Sequence, residues 1–169
     1  MNAYKVYFQR FTYDGATYTE GNVYETLAQW GYVCSECGTY PMKEMKELAT
    51  LDWVGEDGQD VYVPTTPRLK SYDLPFSFIG EGADSTLRTN AKNMVDFLKG
   101  GRLAYYDEYS AIGRKDLVLT SYDPDVFIRE TTNGISIISF KLNFRVYDPV
   151  TSVTAKFVNG TLNKLQWSS

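Results

Sequence analysis

The chain has 169 residues, a formal net charge of −4 and no histidine. It is long enough for one domain with a substantial core, and it lacks the broad positive field that tight binding to nucleic acid phosphates requires. The missing histidine excludes Ser-His-Asp and Cys-His nucleophile systems, while 14 tyrosines and 9 phenylalanines favour β-sheet over helix bundles.

The N-terminal part contains a predicted strand followed by less regular segments. Tyr4, Val6 and Phe8 alternate with Lys5, Tyr7 and Gln9. This alternation is typical of a strand with one buried, apolar face and one polar face. Residues 11–22 are rich in Thr, Gly and Tyr and predict a loop or a loose hairpin around Asp14-Gly15. Residues 23–33 are compatible with either a strand or a short helix.

The chain has two cysteines, in the motif Cys34-Ser-Glu-Cys37. This motif matches half of a zinc site, or a redox pair at the start of a helix. The sequence has no histidine and no second cysteine pair to complete a zinc site, and Gly38 and Pro41 stop a helix directly after the motif. We therefore predict a turn with two reduced thiols, with a metal or redox role as the less favoured alternative.

Residues 45–54 and 60–63 predict two extended segments of a hairpin. They are joined through Gly55-Glu56-Asp57-Gly58, whose Asp-Gly pair suits the positive φ of a hairpin turn. Pro64 and Pro67 then interrupt strand pairing, because proline lacks an N–H donor and restrains the residue before it. A connection between layers is expected here.

A strand and a helix follow. Residues 71–78 predict a strand, because large apolar residues at the even positions alternate with smaller or polar residues at the odd positions. Pro75 is tolerable in such a strand only at an edge or a bulge. Asp84 or Ser85 can cap a helix that we expect from about residue 84 to residue 99, and Gly100-Gly101 supplies its stop. The predicted apolar face of this helix consists of Leu87, Ala91, Met94, Val95 and Leu98.

The C-terminal part predicts further strands. Residues 102–109, 115–122 and 126–131 form a predicted meander, residues 135–147 the longest strand, and residues 152–167 a hairpin about Asn159-Gly160. Ile135 and Ile137 are out of phase with the apolar face of the longest strand. This predicts a bulge near Ile137 and Ile138, because a one-residue slip exchanges the two faces. The layout is that of one mainly β, α+β domain over residues 1–169.

Candidate chemical sites are few. The acidic pairs Asp107 with Glu108 and Asp123 with Asp125 are the candidates for acid–base catalysis, but acids in turns and at strand ends usually serve solubility and turn geometry. Gly80-Glu81-Gly82 before the helix lacks the lysine and the spacing of a phosphate-binding loop. We predict no catalytic residue, no cofactor and no metal site.

Tyrosines and acids lie side by side in the first strand of the meander. Tyrosines next to acids can stack on sugars or anchor a protein interface, although alternating tyrosines also pack on both faces of ordinary strands. Tyr105, Tyr106, Tyr109 and Pro75 are the possible interface residues.

Residues 57–149 resemble the core of phage tail structural proteins. The resemblance is to the sheet-helix-sheet core of tail-tube, tail-terminator and distal-tail proteins of long-tailed phages, in particular the N-terminal domain of distal tail proteins. It is carried by Tyr72-Asp73-Leu74-Pro75-Phe76-Ser77-Phe78, the helix of residues 83–99, Gly101-Arg102-Leu103-Ala104-Tyr105-Tyr106-Asp107, the strand of residues 116–122, and residues 138–149 ending in Tyr147-Asp148-Pro149.

The resemblance implies a β-sandwich or split barrel of long antiparallel strands with one flanking helix at about residues 84–99. It implies that copies form a ring, commonly sixfold, whose lumen passes DNA without specific binding, and that the other partners are tail proteins. The expected location is the virion tail, after synthesis in the bacterial cytoplasm, since residues 1–10 lack an export pattern and no stretch suits a membrane span.

Three functions are compatible with the sequence. The favoured one is a structural, non-enzymatic tail component of a phage or prophage that assembles into a ring. The alternative is a non-catalytic carbohydrate- or protein-binding β-domain that uses exposed tyrosines such as Tyr105 and Tyr109. A hydrolase with an acid pair is the least favoured.

Overall fold

A computed structural model describes residues 5–38, 44–54, 57–66, 68–123, 127–130 and 134–167. The elements in chain order are β1 (Val6–Tyr13), β2 (Tyr18–Glu25), α1 (Thr26–Trp30), β3 (Tyr32–Cys37), β4 (Ala49–Leu51), β5 (Asp60–Tyr62), β6 (Tyr72–Gly82), α2 (Asp84–Leu98), β7 (Arg102–Asp107), β8 (Ile112–Tyr122), β9 (Phe127–Glu130), β10 (Ser136–Val146), β11 (Val153–Val158) and β12 (Thr161–Trp167).

Eight of these strands form one antiparallel sheet. Its order is β2-β1-β7-β8-β10-β6-β3, and β9 pairs with β10. The first half of β8 pairs with β7 and its second half pairs with β10, so the sheet changes direction along this strand. The two parts of the sheet then face each other as two layers. The predicted mainly β fold is confirmed.

Aromatic side chains hold the two layers together. Phe8 of β1 lies with its ring centroid 5.6 Å from Phe76 of β6 and 5.6 Å from Phe144 of β10. All three side chains are fully buried. Tyr105 of β7 also contacts Phe76, at 5.4 Å between ring centroids. These contacts place the main core between the layers.

Helix α2 lies against the same core, as the sequence predicted. Leu87, Met94 and Leu98 are buried, and the Tyr32 hydroxyl donates a hydrogen bond to the Leu87 carbonyl at 2.9 Å. At the C-terminal end of α2, the Arg10 guanidinium donates to the Phe97 carbonyl. This places a positive charge where the helix dipole favours one.

The C-terminal hairpin of β11 and β12 covers the outer face of the layer that contains β1 and β7. Phe11 and Ala104 are buried there against Val153 and Leu165. This second cluster explains why Gln9 is 2% exposed although it lies on the face of β1 that was predicted to be polar. The prediction of a single buried face for β1 was wrong, because the hairpin buries the other one.

Two further predictions need correction. The segment from Cys34 to Cys37 lies in β3, not in a turn. No register shift interrupts the pairing of β10 with β6 from Ser136 to Val146, and β10 shifts only against β8, between Asn143 and Phe144. The predicted bulge near Ile137 and Ile138 was therefore wrong. Ile137 is out of phase with the apolar face of β10 because its side chain lies on the outer face of the sheet. The ambiguous residues 23–33 contain both strand and helix.

Replacing Gly80 by alanine should destabilise the fold. Gly80 pairs with Tyr32 across β6 and β3, and a Cβ at Gly80 would lie 2.7 Å from Cε1 and 2.8 Å from Cδ1 of the Tyr32 ring. Overpacking of this kind costs about 1–3 kcal/mol. We expect a loss of that size in the free energy of unfolding of Gly80→Ala, measured in urea. Glu81→Ala, at the exposed neighbouring position, is the control, and an equal loss in both variants would contradict this account of Gly80.

Candidate functional site

The predicted interface tyrosines do not share one surface. Tyr105 is 4% exposed and belongs to the core, so it is removed from the candidate interface. Tyr106 is partly buried against the second cluster, under the C-terminal hairpin. Tyr109 lies in the turn after β7 and is 74% exposed. The alternation of the tyrosines along β7 thus reflects packing on both faces of the strand.

Pro75 lies in the interior of β6 in sequence but near a local end of strand pairing. On one side it pairs with Asn143 of β10. On the other side β3 reaches only as far as Cys37, which pairs with Phe76, and the Gly38 amide donates to the Pro75 carbonyl at 2.8 Å. The pyrrolidine therefore lies where the next strand ends, and its ring is exposed.

The acids beside these tyrosines accept hydrogen bonds within the fold. Asp107 accepts hydrogen bonds from the Tyr109 amide at 3.1 Å and from the Ser110 hydroxyl at 2.6 Å, which fixes the turn between β7 and β8. Glu108 accepts a hydrogen bond from the Tyr7 hydroxyl at 2.9 Å. Burial and this carboxylate raise the pKa of Tyr7. In the second acidic pair, Asp125 lies outside the described residues.

Cys34 and Cys37 lie on one side of β3. The register against β6 shifts between Cys34 and Glu36, so one extra residue separates the cysteines, and both line a cavity of about 220 Å³ next to Asp107. Both thiols are free. Among the described residues, no three His, Cys, Asp or Glu side chains lie close enough together to hold a metal ion.

Alkaline pH should destabilise the fold through these thiols. Burial, and secondarily the Asp107 carboxylate, raises the pKa of Cys34 from 9.0 to about 12, and burial raises that of Cys37. The folded state keeps both thiols protonated where the unfolded chain ionises. Their stabilising contribution is therefore complete below about pH 9 and is lost as the pH rises towards about 12. The free energy of unfolding should fall over this alkaline range.

The matched variant is Cys34→Ala/Cys37→Ala. Alanine leaves a cavity, which lowers stability by a similar amount at every pH, but it removes the titrating groups. We expect a shallower alkaline fall in urea unfolding for the double variant than for the natural chain. Equal slopes for the two proteins would show that the thiols are not responsible.

Residues 44–54, 57–66 and 68–70 form an extended arm between β3 and β6, and its apolar surface was not predicted. At its base the Lys46 amide donates to the Arg68 carbonyl at 2.7 Å, and the Lys70 amide donates to the Glu44 carbonyl at 2.8 Å. Further out, β4 pairs with β5. Eight large apolar side chains of the arm are 47% to fully exposed: Met45, Leu48, Leu51, Trp53, Val54, Val61, Tyr62 and Val63.

One side of the arm forms an apolar groove with a volume of about 540 Å³. It is lined mainly by Met45, Leu48, Ala49, Tyr62, Val63 and Pro64. A sequence signal for this surface did exist. Val61 and Tyr62 of β5 and Val63 directly after it are three consecutive large apolar residues, so apolar side chains lie on both faces of a ribbon that no second layer covers.

The strands at the two ends of the order of the main sheet, β2 and β3, each have an edge that pairs with no other described strand. The first five residues of β2, Tyr18 to Asn22, have exposed side chains. At the other edge, the register of β3 against β6 shifts between Cys34 and Glu36. Unpaired edges present N–H and C=O groups that can pair with another chain.

The described residues thus define a two-layer, mainly β fold with one long flanking helix and a projecting apolar arm. No protein-family model and no curated protein matches the sequence. Among solved structures, the chain is similar to SPP1 Dit (gp 19.1), which is described as a paradigm of the hub adsorption apparatus in phages that infect Gram-positive bacteria. The TM-score is 0.48 at 17% sequence identity, over 88% of this chain and 52% of that chain. This chain therefore covers about half of the length of SPP1 Dit. No helix in the described part of the chain is long and apolar enough to span a membrane.

Proposed function

We propose that this chain is a structural component of a phage or prophage tail, of the distal-tail or tube type, whose copies assemble into a ring. The observation that carries the proposal is the arm, whose eight large apolar side chains are exposed in the isolated subunit. A soluble protein rarely exposes so many adjacent apolar side chains unless a partner covers them.

The arm has the dimensions and chemistry of an assembly element. Residues 44–54 span about 35 Å when fully extended, so the tip can reach a neighbouring subunit. The Trp53 indole donates a hydrogen bond to the Asp60 carboxylate at 2.9 Å, across the two sides of the arm near its tip. This bond limits the freedom of an exposed aromatic side chain, and less entropy is then lost on binding.

The positions of the two sheet edges favour a ring over a symmetric dimer. β2 and β3 lie at opposite ends of the strand order. Pairing of one edge with the other edge of the next copy is a contact between two different surfaces. Such head-to-tail contacts generate closed rings when the rotation between subunits closes. The arm and the edges together supply the two unlike surfaces that this geometry needs.

The order of elements supports the class of protein. The aromatic strand β6, the helix α2, the meander that starts with β7 and the long strand β10 follow one another as the resemblance to tail proteins requires. A net charge of −4 would allow DNA to pass a lumen without tight binding. We infer a location in the virion tail, synthesis in the bacterial cytoplasm, and other tail proteins as neighbours.

Replacing Val63 by aspartate should weaken self-association. Val63 lines the groove of the arm and is 69% exposed, so an added carboxylate costs little in the free subunit but would be desolvated in the assembly. We expect the natural chain to show a mass of several times 19.2 kDa, at a whole-number multiple, in light scattering after size-exclusion chromatography. Val63→Asp should shift that population towards the monomer by about tenfold or more in association constant.

Val150→Asp is the matched control, because Val150 is also 69% exposed but lies in the connection between β10 and β11. This variant should assemble like the natural chain. A natural chain that remains monomeric at the highest attainable concentration would contradict the proposed ring. Equal losses in the two variants would contradict the role of the arm.

A further inference from the structure

The outer part of the arm combines exposed apolar side chains with a one-sided charge. Leu51, Trp53 and Tyr62 are each at least half exposed. Residues 47–66 contain no lysine or arginine and five acidic residues: Glu47, Asp52, Glu56, Asp57 and Asp60. The whole chain has a net charge of −4 and this segment contributes −5, so the rest of the chain carries +1. A surface that receives the arm should therefore be both apolar and basic.

The acids near the tip of the arm are not neutralised within their own subunit. In the described part of the chain, Asp52, Asp57 and Asp60 form no ion pair. At the base of the arm, by contrast, Glu44 lies 3.7 Å from the Lys70 ammonium. The negative charge of the arm is thus concentrated where its apolar side chains are exposed, and a basic partner would neutralise it.

The C-terminal hairpin of β11 and β12 has the opposite charge. Residues 149–167 contain Lys156 and Lys164 and no acidic residue. The two lysines lie directly opposite each other in the hairpin, an arrangement of like charges that destabilises a pair of strands. Lys164 contacts the Glu20 carboxylate at 2.7 Å, whereas Lys156 has no carboxylate partner among the residues described. The stability of the subunit does not explain this lysine pair.

Apolar side chains lie directly beside Lys156. Phe157 and Val158, the next two residues of β11, are both exposed. The Phe157 ring also contacts the Tyr7 ring, at 6.4 Å between centroids, so its position is restrained and it loses less entropy on binding. The end of the hairpin near its turn therefore combines an unpaired ammonium with exposed apolar surface, which is the complement of the arm.

We propose that the arm of one copy docks on this end of the C-terminal hairpin of the next copy, around Lys156, Phe157 and Val158. The inference rests on the proposed assembly and names the surface that receives the arm. The arm follows β3, and the hairpin is joined to β2 through the Lys164–Glu20 ion pair. When β3 of one copy pairs with β2 of the next, the arm of the first copy lies beside the hairpin of the second.

Other lysines of the subunit fit the arm less well. Lys92 and Lys99 of α2 both contact the Asp96 carboxylate, each at 2.6 Å, so their charges are already compensated. Lys141 of β10 is exposed and has no carboxylate partner in the described ranges. However, its two neighbours in the strand are buried, and no apolar surface accompanies its charge. Lys141 is therefore the matched control for Lys156.

Charge reversal tests the docking in sedimentation equilibrium of the full chain. Lys156→Glu should lower the association constant by about tenfold or more, because it places a carboxylate against the acidic arm. It should not lower the thermal unfolding temperature, since it replaces the like-charged pair with Lys164 by an opposite-charged one. Asp52→Lys should weaken association similarly, and Asp52→Lys/Lys156→Glu should recover most of the loss. Lys141→Glu, with the same change in net charge, should leave association within about twofold.

A carbodiimide, which links a carboxylate to a lysine in contact with it, locates the acceptor. Unlabelled and ¹⁵N-labelled chains are mixed, cross-linked and digested, and we expect peptides of mixed isotopic composition that join residues 47–66 to Lys156. Links from the arm to other surfaces alone would overturn the docking. So would equal effects of Lys156→Glu and Lys141→Glu, or no recovery in the double variant, and either result in a natural chain that assembles leaves the ring intact. A natural chain that stays monomeric would overturn both the ring and the docking.

Discussion

The interlocked rings of Phe8, Phe76 and Phe144 are the contact on which the rest of the structure depends. Each ring comes from a different strand, and the three lie within 5.6 Å of one another between centroids. Phe8 belongs to one layer, and Phe76 and Phe144 belong to the other. Because the sheet is continuous through β8, this contact folds a single sheet into two layers and creates the core that α2 covers.

This core is complete without the arm. The main cluster draws its members from β1, β3, β6, β7, β8, β10 and the two helices, and the second cluster draws on β11 and β12. No residue of the arm's described part belongs to either cluster. The apolar side chains of the arm therefore contribute nothing to the core that the structure describes. The proposed assembly would cover these side chains, and the open edges at β2 and β3 offer it further surfaces.

The sequence predicts the fold well where a strand or helix buries one face against the core and exposes the other. The strand from Tyr72 and the helix from Asp84 follow simple periodic patterns, and the structure confirms both. Prediction fails where an element also contacts a second element that is distant in the sequence. Gln9 is buried because a distant hairpin covers it, and Cys34 lies in a strand because β6 pairs with that segment. Neither contact leaves a local signal, since both join residues far apart in the chain.

The candidate surfaces show the same limit. Tyr105 and Tyr109 are equivalent in the sequence pattern, but one lies in the core and the other is exposed. Their difference depends on where β7 ends. Tyr105 lies within the strand, on the face that contacts Phe8 and Phe76, and Tyr109 lies in the turn that follows. The arm was predicted as a hairpin but not as a surface, because a period of two residues does not reveal whether a second layer is present.

Cross-linking of mixed isotopic samples tests the central claim most directly. Unlabelled and ¹⁵N-labelled chains are mixed at high concentration, cross-linked through lysines and digested, and the peptides that contain Lys46 or Lys70 of the arm are identified by mass spectrometry. The account predicts cross-links of mixed isotopic composition between these arm lysines and lysines of the folded sheet, which join two different copies. Cross-links of a single isotopic composition only, all within one chain, would contradict it.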